Sequence, residues 1–488
     1  MQSSSTAPSK DENGNLIPHR LGGQVVIAIV GAGFSGAMVA ANLMRRVSHG
    51  ACIALIDGWK VNGQGAAYGR CEPSMILNVR ANAMGAWPDD PGGFMTWCAI
   101  HAPQVQGNEF AARELYGRYI EQVLAESEAN SSLPLQRIHS EIVSMKGEQG
   151  RFVLRGRGDE CIVADAVVLA TGNMPPPSCA EGVDKAGSYI DDPWREGAAK
   201  GIENLGSLFV IGTGLTAIDF IVHANARGFR GAITCLSRHG LFPRPHLAED
   251  VPVGTIDLAA WDGTLRHLMG IVRKAAAASP QWQTVIDALR PHTVQVWQRL
   301  SLADRQRFLR HLKTLWDVHR HRIPVHVHEL IQRLIAQGRL QIVKGRVGAI
   351  VESAEGTLEI EVIKRGSSLK ERFVAQRVVN CTGPQSGVTT HPLLKQTISE
   401  GILRADRLGL GIETDTHGKA RTTAGPVWVI GPLRRPDRWE SSAVRELRVQ
   451  ASEIADDIVR HFAESTLAAD LPPQSLSSVG GLPQRGNG

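Results

Sequence analysis

Val25-Val26-Ile27-Ala28-Ile29-Val30-Gly31-Ala32-Gly33-Phe34-Ser35-Gly36 decides the fold of this chain. Six apolar residues without alternation read as a strand buried on both faces, as parallel sheets require. The glycines follow at the spacing of a strand–turn–helix unit that cradles a pyrophosphate. A second copy occurs at Gly212-Thr213-Gly214-Leu215-Thr216-Ala217, after Leu208 to Ile211. An acid, Asp57, follows the apolar run Cys52 to Ile56 in the first unit. A base, Arg238, follows Ala232 to Leu236 in the second. The offset from first glycine to charged residue is 26 in both units.

In this motif the first glycine makes the tight turn and the second lets backbone approach the pyrophosphate. The third allows close helix–strand packing, and the helix N-terminus faces the phosphates. An acid at the end of the second strand accepts hydrogen bonds from ribose hydroxyls, which suits FAD or NAD at the first unit. A base there suits a 2′-phosphate, hence NADPH at the second. A guanidinium also stacks on adenine, so NADH stays open. Two such units in one chain point to a flavoprotein served by a nicotinamide.

The fold class expected is α/β: two dinucleotide-binding, Rossmann-like domains, each with a β-meander. The first domain spans 25–175 and 384–470 and is discontinuous; the second spans 200–383. Each ends in a matching pair, Ala170-Thr171-Gly172 and Cys381-Thr382-Gly383. Strands are expected at Ile138 to Met145, Arg151 to Arg155 and Val163 to Ala170, and a helix at Glu114 to Glu128. A second set is expected at Leu340 to Lys344, Val347 to Glu352, Leu358 to Ile363 and Arg377 to Asn380. A closing strand, Val427 to Ile430, precedes a helix from about Ser442 to Phe462, with Ser441 or Ser442 as N-cap. Residues 1–24 and 471–488 are polar, Gly/Pro/Ser-rich stretches expected to be disordered.

The chain has 488 residues and a net charge of +5. No apolar run is long enough to cross a bilayer, and the first residues lack the apolar core of a signal peptide. A cytoplasmic protein is expected. The seven cysteines, at 52, 71, 98, 161, 179, 235 and 381, form no CxxC or CxxxxC pair. Flavin disulfide reductases need two closely spaced thiols, so their absence argues against that class. A zinc or iron–sulfur site is equally unsupported, and no metal is expected. A helical insert is expected at about 246–330. Its window Thr264 to His328 carries eleven Lys/Arg against three Asp/Glu. Its aromatics are spaced for helix packing, so nucleic acid is not the expected partner. An anionic small-molecule substrate, the phosphates of NAD(P)H or plain solvated faces fit this charge better.

A long run of small residues and amides, Gly65 to Tyr68 and Leu77 to Met84, follows the second strand. Such a run either lies against a flavin or is a surface loop. Within it Tyr68, Asn78, Val79, Asn82 and Met84 are candidate cofactor contacts. They join Gly31, Gly33, Phe34, Ser35, Gly36 and Asp57 at the first site, and Gly212, Thr213, Gly214, Thr216 and Arg238 at the second. No Ser/His/Asp or paired-carboxylate device is present, and only His246 and His319 stand out as candidate catalytic groups. His319, His321, His326 and His328 have HxH spacing, which on a strand would place imidazoles on one face. Pro324 interrupts them, so a structural basic segment or a substrate contact is favoured over metal.

These elements together resemble one family of FAD/NAD(P)-binding flavoprotein monooxygenases. It includes an FAD-dependent urate hydroxylase and the amine N-oxygenase that forms nitrosuccinate. The residues are Gly31 to Gly36, Gly65 to Tyr68, Leu77 to Met84, Asp90 to Trp97, Ser237 to Leu241 with Pro243 and His246, and Trp439 to Val444. Arg445 departs from the proline usual at that place. The resemblance implies an oxidoreductase in which NADH or NADPH reduces FAD. O₂ then forms a flavin C4a-hydroperoxide, and one oxygen atom passes to a small nitrogenous metabolite. Within purine metabolism, urate to 5-hydroxyisourate is the leading reading. N-oxygenation of an amine or amino acid, and a flavin reductase serving a partner protein, are the alternatives.

Overall fold

The computed structural model describes residues 24–469, except 149, 181–182, 184–186, 250, 386 and 423, together with the pairs 9–10 and 16–17. The expected disordered tail, 471–488, and most of the leader lie outside the described residues.

Two sheets carry the chain. The first is wholly parallel and five-stranded, in the order Val427–Val429, Ala166–Leu169, Val25–Val30, Ala51–Asp57, Leu135–His139. The second begins with the parallel set Tyr189–Ile190, Arg377–Asn380, Ser207–Ile211, Ala232–Ser237, Leu340–Glu352. The two orders match at four positions: the Thr-Gly strand, the glycine-motif strand, the strand that leads to the charged residue, then a fifth; the outer strand returns late in the chain in the first sheet but precedes the glycine motif in the second. The duplication read from the fingerprints therefore extends to topology. Continuous apolar runs sit at the centre of each sheet because helices or meanders cover both faces. Phe34–Arg46, Arg113–Ala129 and Val444–Ala469 cover one face of the first sheet. The antiparallel meander Ile142–Glu148, Arg151–Gly156, Cys161–Ala164 covers the other.

Several boundaries differ from expectation. The second sheet takes in Tyr189–Ile190, ahead of the boundary set at 200. Ile138 to Met145 is two strands, because the chain turns at Ser140 and Glu141 to leave the sheet for the meander. Val163 to Ala170 is also two: the Asp165 carboxylate between them accepts the Val26 N–H at 2.7 Å. Conversely, Leu340 to Glu352 is one strand of 13 residues that passes from the parallel sheet into the meander with Leu358–Lys364 and Lys370–Ala375. The last helix starts at Val444, so neither Ser441 nor Ser442 caps it in the expected place. The Ser441 hydroxyl donates instead to the Gly431 carbonyl at 2.5 Å.

The helical insert has its own apolar core around Trp261, Leu265, Leu268, Leu289 and Trp297. Helix Val325–Ala336 belongs elsewhere: Val327, Ile331 and Leu334 pack into the second domain. The ends of the insert are stitched together. Pro245 bridges Ile323, the His246 N–H donates to the Ile323 carbonyl at 2.9 Å, and the Arg244 N–H to the Val318 carbonyl at 2.8 Å.

The tightest constraint lies at the first glycine of each fingerprint. Gly31 has φ +106°, and a Cβ there would sit 2.2 Å from the Ala170 carbonyl oxygen. Gly212 has φ +124°, and its Cβ would sit 2.1 Å from the Cys381 oxygen. Each glycine thus presses against the residue that precedes the Thr-Gly pair. Gly31→Ala should cost about 3 kcal/mol or more, because it adds a backbone collision to an unfavourable φ. Gly50→Ala, with φ +80° but nothing within 4 Å, should cost only about 1 kcal/mol. Urea unfolding of the two variants checks this; equal losses would show that the Ala170 contact is unimportant.

Candidate functional site

The two glycine loops present the same pattern of access. Gly31, Gly33 and Ser35 are partly accessible while Ala32, Phe34 and Gly36 are buried. Gly212, Gly214 and Thr216 are accessible in the second copy, while Thr213 and Ala217 are buried. Phe34 turns into the core toward Tyr116, and a Cβ on Gly36 would lie 1.8 Å from the Gly31 oxygen. So Phe34 and Gly36 shape the first loop from behind, and Gly31, Gly33 and Ser35 lie on its open side. Helices Phe34–Arg46 and Leu215–Ala226 both start from an extended glycine and carry no side-chain cap. Their first N–H groups therefore remain available to an anion.

The loops differ in cover. A Cβ on Gly33 would meet the Gly65 Cα at 3.4 Å, so the Gly65–Gly69 turn lies across the first loop. A Cβ on Gly214 would meet nothing within 4 Å. The first cradle is walled and the second is open.

The charged ends are also distinct. Asp57 accepts the Ala32 N–H and the Trp59 N–H, each at 2.8 Å, on separate carboxylate oxygens. Each oxygen keeps a lone pair for a ribose hydroxyl. Arg238 is exposed beside the second loop. Thr213 lies 2.9 Å from the Ser237 hydroxyl and 2.7 Å from the Leu241 carbonyl, which binds the loop to the segment carrying Arg238. Thr171 Oγ1, beside Gly31, is buried with no partner among the described residues. The bare cradle, uncapped helix, acid and orphaned hydroxyl fit a dinucleotide.

The loop from Gly65 to Met84 does more than flank that cradle. Tyr68 packs edge-on against Tyr116 at 4.8 Å, and burial pushes its phenol up to about 12. Met84 is in the first core, Val79 packs against it, and Asn82 is exposed. Asn78 offers its backbone: its carbonyl accepts from His246 Nε2 at 2.9 Å. Arg80 reaches the carbonyls of Leu247 and Glu249 at 2.9 and 3.3 Å. Arg113 pairs with Asp219 at 2.7 Å, and the Ser74 hydroxyl meets His223 Nδ1 at 2.9 Å. This loop and the helix start at Arg113 therefore form the seam between the domains.

Sequence reasoning missed a buried charge cluster where the insert meets the last helix. Arg290 grips Glu446 through two bonds of 2.8 and 2.9 Å. Arg320 lies 3.3 Å from Glu440 and 3.9 Å from Glu446. Burial would raise the Glu440 carboxyl, but Arg320, His321 and the Trp316 N–H outweigh it and hold it below the usual range. Arg322 pairs with Asp287. The segment Trp439–Ser441 also borders the first cradle: a Cβ on Gly431, whose carbonyl holds Ser441, would lie 3.6 Å from Ser35 Oγ. The only sequence signal was the Trp439-Glu440 motif; its arginine partners are far away in the chain.

The histidine segment does not form a strand. His319 lies in the last turn of helix Lys313–Arg320 and His321 is its C-cap, while His326 and His328 open helix Val325–Ala336 with Pro324 as its N-cap. Among the described residues no group of three or more His, Cys, Asp or Glu is placed to hold a metal. His319 donates from Nδ1 to the Leu315 carbonyl at 2.7 Å and meets Trp282 edge-on. Cys52, Cys71, Cys98, Cys179, Cys235 and Cys381 carry free thiols. No helix among the described residues is long and apolar enough to cross a membrane.

Residues 28–174 match the model of a family described as FAD-NAD(P)-binding. That span holds the first cradle, the Gly65 to Met84 loop and the first Thr-Gly pair. No curated relative matches the chain. Among solved structures it is similar to the reduced form of an ornithine hydroxylase from Pseudomonas aeruginosa. Identity is 16%, the TM-score is 0.62, and 90% of this chain and 100% of that chain are covered. It is also similar to an ornithine N-hydroxylase from Kutzneria sp. 744 described with reduced FAD, NADP⁺ and L-ornithine. There identity is 15%, the TM-score is 0.59, and coverage is 90% and 100%. A thioredoxin reductase from Lactococcus lactis shares the fold at 10% identity and TM-score 0.52, with 90% and 100% covered. The chain shares the fold of these solved structures. The first unit is of the FAD-NAD(P)-binding kind.

The His246 seam has a pH consequence. Burial first, then Arg322 and Arg80, disfavour its charged form against the pull of the Asn78 carbonyl and Asp287, and its pKa falls to about 4. The unfolded ring titrates near ~6.5. Between those values the unfolded chain takes up a proton that the folded one refuses, so stability present above pH ~6.5 is lost as pH falls toward 4. His246→Gln keeps a donor for Asn78 and should lose less stability than wild type between pH 7.5 and pH 5. Equal losses in urea unfolding would rule out this role.

Proposed function

We propose that this chain is an FAD-dependent monooxygenase that consumes NAD(P)H and O₂ and hydroxylates the nitrogen of a small amine or amino acid. The observation that carries the reading is the pair of matched cradles, one walled and one open. A walled site suits a resident flavin; an open one suits a coenzyme that must arrive and leave each turnover. The N-hydroxylases among the fold neighbours support nitrogen as the target. The overall change is R–NH₂ + O₂ + NAD(P)H + H⁺ to R–NHOH + H₂O + NAD(P)⁺.

Bound FAD supplies the hydride acceptance and the oxygen chemistry; the protein positions and shelters. In this reading Asp57 holds the flavin nucleotide's ribose, and the N–H groups after Gly33, with Ser35, hold its pyrophosphate. Gly214 and Thr216 receive the nicotinamide coenzyme, with Arg238 at its 2′-phosphate. Trp439 to Ser441 and the insert close the far side against water.

Urate, the leading reading from sequence, came from the family resemblance, and the basic insert was compatible with its anionic charge without singling it out. Much of the insert's charge is already committed. Arg290, Arg320 and Arg322 pair with carboxylates, as do Arg307 and Lys313, while Arg299 and Arg305 lie over indoles. Nitrogen hydroxylation is therefore preferred. Disulfide reduction, the chemistry named for the thioredoxin reductase of the same fold, is not favoured, because the cysteine spacing offers no dithiol beside a flavin; a flavin reductase serving a partner protein would need that partner, and not O₂, for turnover.

The purified protein should be yellow and release FAD on denaturation. Amines or amino acids should accelerate NAD(P)H oxidation with stoichiometric hydroxylamine; if urate alone does so, the target is carbon. Gly214→Arg has room to fold and should retain FAD but lose most coenzyme-driven flavin reduction, by roughly 100-fold. Unchanged reduction would remove the second cradle from the mechanism. Arg238→Ala should lower kcat/KM for NADPH about tenfold and leave NADH nearly unchanged; equal effects would deny it the phosphate.

A further inference from the structure

The helical insert encloses a cavity of about 400 Å³ that the proposed chemistry has not used. Its wall is built with helical regularity. Leu265, Leu268, Met269, Val272 and Ala276 fall on one face of helix Leu265–Ala278. Trp282, Ile286 and Leu289 line a second side. Phe308, Leu312 and Trp316 line a third, and Trp439 closes the end nearest the flavin domain. A stripe at this spacing normally buries itself against another helix. Here Met269, Val272 and Ala276 are only half-buried, and Leu315 at the rim is 45% exposed.

The space is poorly suited to water. At ~30 Å³ each it would hold roughly a dozen molecules, and each needs polar partners. Arg273 and His319 border the space at its edge, and other polar groups that line it are already used. The Trp297 N–H donates to the Pro436 carbonyl, the Trp316 N–H to Glu440, and the Thr293 hydroxyl to the Arg290 carbonyl. A π-helical turn, Phe308–Leu312, interrupts the helix along this wall. Such turns add a residue to the ladder and recur at functional sites. The volume lies within the range of small-molecule pockets.

A short segment links the cavity to the first cradle. Trp439 stacks on Trp297 at 4.8 Å and meets Phe308 at 5.2 Å. Two residues on, Ser441 holds the Gly431 carbonyl, and Gly431 borders Ser35. One short segment therefore forms the end wall of the cavity and part of the surround of the flavin site.

We propose that this cavity binds an uncharged carbon chain or ring of the substrate, so that the oxidised nitrogen belongs to a molecule with a substantial apolar part. This rests on the nitrogen-hydroxylase reading above and narrows it. Ornithine-like substrates, charged at both ends of a short carbon chain, gain little from such a wall. An apolar amine gains the free energy of leaving water along its whole chain.

The test uses the FAD-loaded protein and n-alkylamines from butyl to octyl, with n-alkanols of the same lengths as uncharged probes. Binding is read without turnover, from tryptophan fluorescence, since four of the ten tryptophans line the cavity. Affinity should rise roughly fourfold per methylene in both series. Ala276→Trp, placed at the half-exposed end of the stripe, should weaken octylamine and octanol at least tenfold and flatten both series. Ala276→Met should do so partially. FAD content and NAD(P)H-driven flavin reduction should be unchanged in both variants. A flat wild-type series, or a slope that survives Ala276→Trp, overturns the cavity as the site. A slope with alkanols but none with alkylamines overturns its assignment to the substrate. Hydroxylamine formation is scored separately. If both series bind with the expected slope but no amine is hydroxylated, the cavity stands as an apolar site and the nitrogen-hydroxylase reading fails.

Discussion

Both dinucleotide units depend on backbone touching backbone where no side chain fits. Gly31 leans on the Ala170 carbonyl and Gly212 on that of Cys381. The contact joins the glycine loop to the end of the strand beside it, so both loops sit at the same height above their sheets. The helix starts, the accessible Gly33 and Gly214, and the ends carrying Asp57 and Arg238 inherit their positions from it. The matching Thr-Gly pairs are the far side of the same contact. Without a bare glycine the helix could not begin so close to the sheet.

Much of this was legible in the chain because the constraint is local. Six unbroken apolar residues followed by GxGxxG leave few other folds open, and the repeat at equal offset gives the second domain. Boundaries were less legible where one polar residue decides them. Asp165 splits a strand because its carboxylate takes a neighbouring N–H, and nothing in Val163 to Ala170 announces that bond. Ser441 looked like a helix cap because serines before helices usually are; here the hydroxyl turns to Gly431, and the helix begins later. His319 to His328 read by spacing alone suggested shared faces, yet Pro324 divides them between two helices.

The site beyond the cradles was largely hidden. Arg290 and Arg320 meet Glu446 and Glu440 across more than a hundred residues, a pairing that no local pattern encodes. The basic insert was read through its net charge, whereas its organising feature is apolar. Helical spacing did mark its aromatics as core-facing. It could not show that the core they face is partly empty. Nor does the motif that holds Tyr68 announce the edge-on contact its ring makes with Tyr116.

The stitching of Pro245 to Ile323 bears on how such a protein diversifies. The insert leaves and re-enters at adjacent points, and the sheet resumes at Leu340 regardless of what lies between. Its helices can lengthen, repack or change their lining with little disturbance to either nucleotide cradle. On the proposed function, electron supply and choice of acceptor are then separable within one chain. The first is fixed in the duplicated sheets, and the second is free to drift in a cassette whose two ends are already tied.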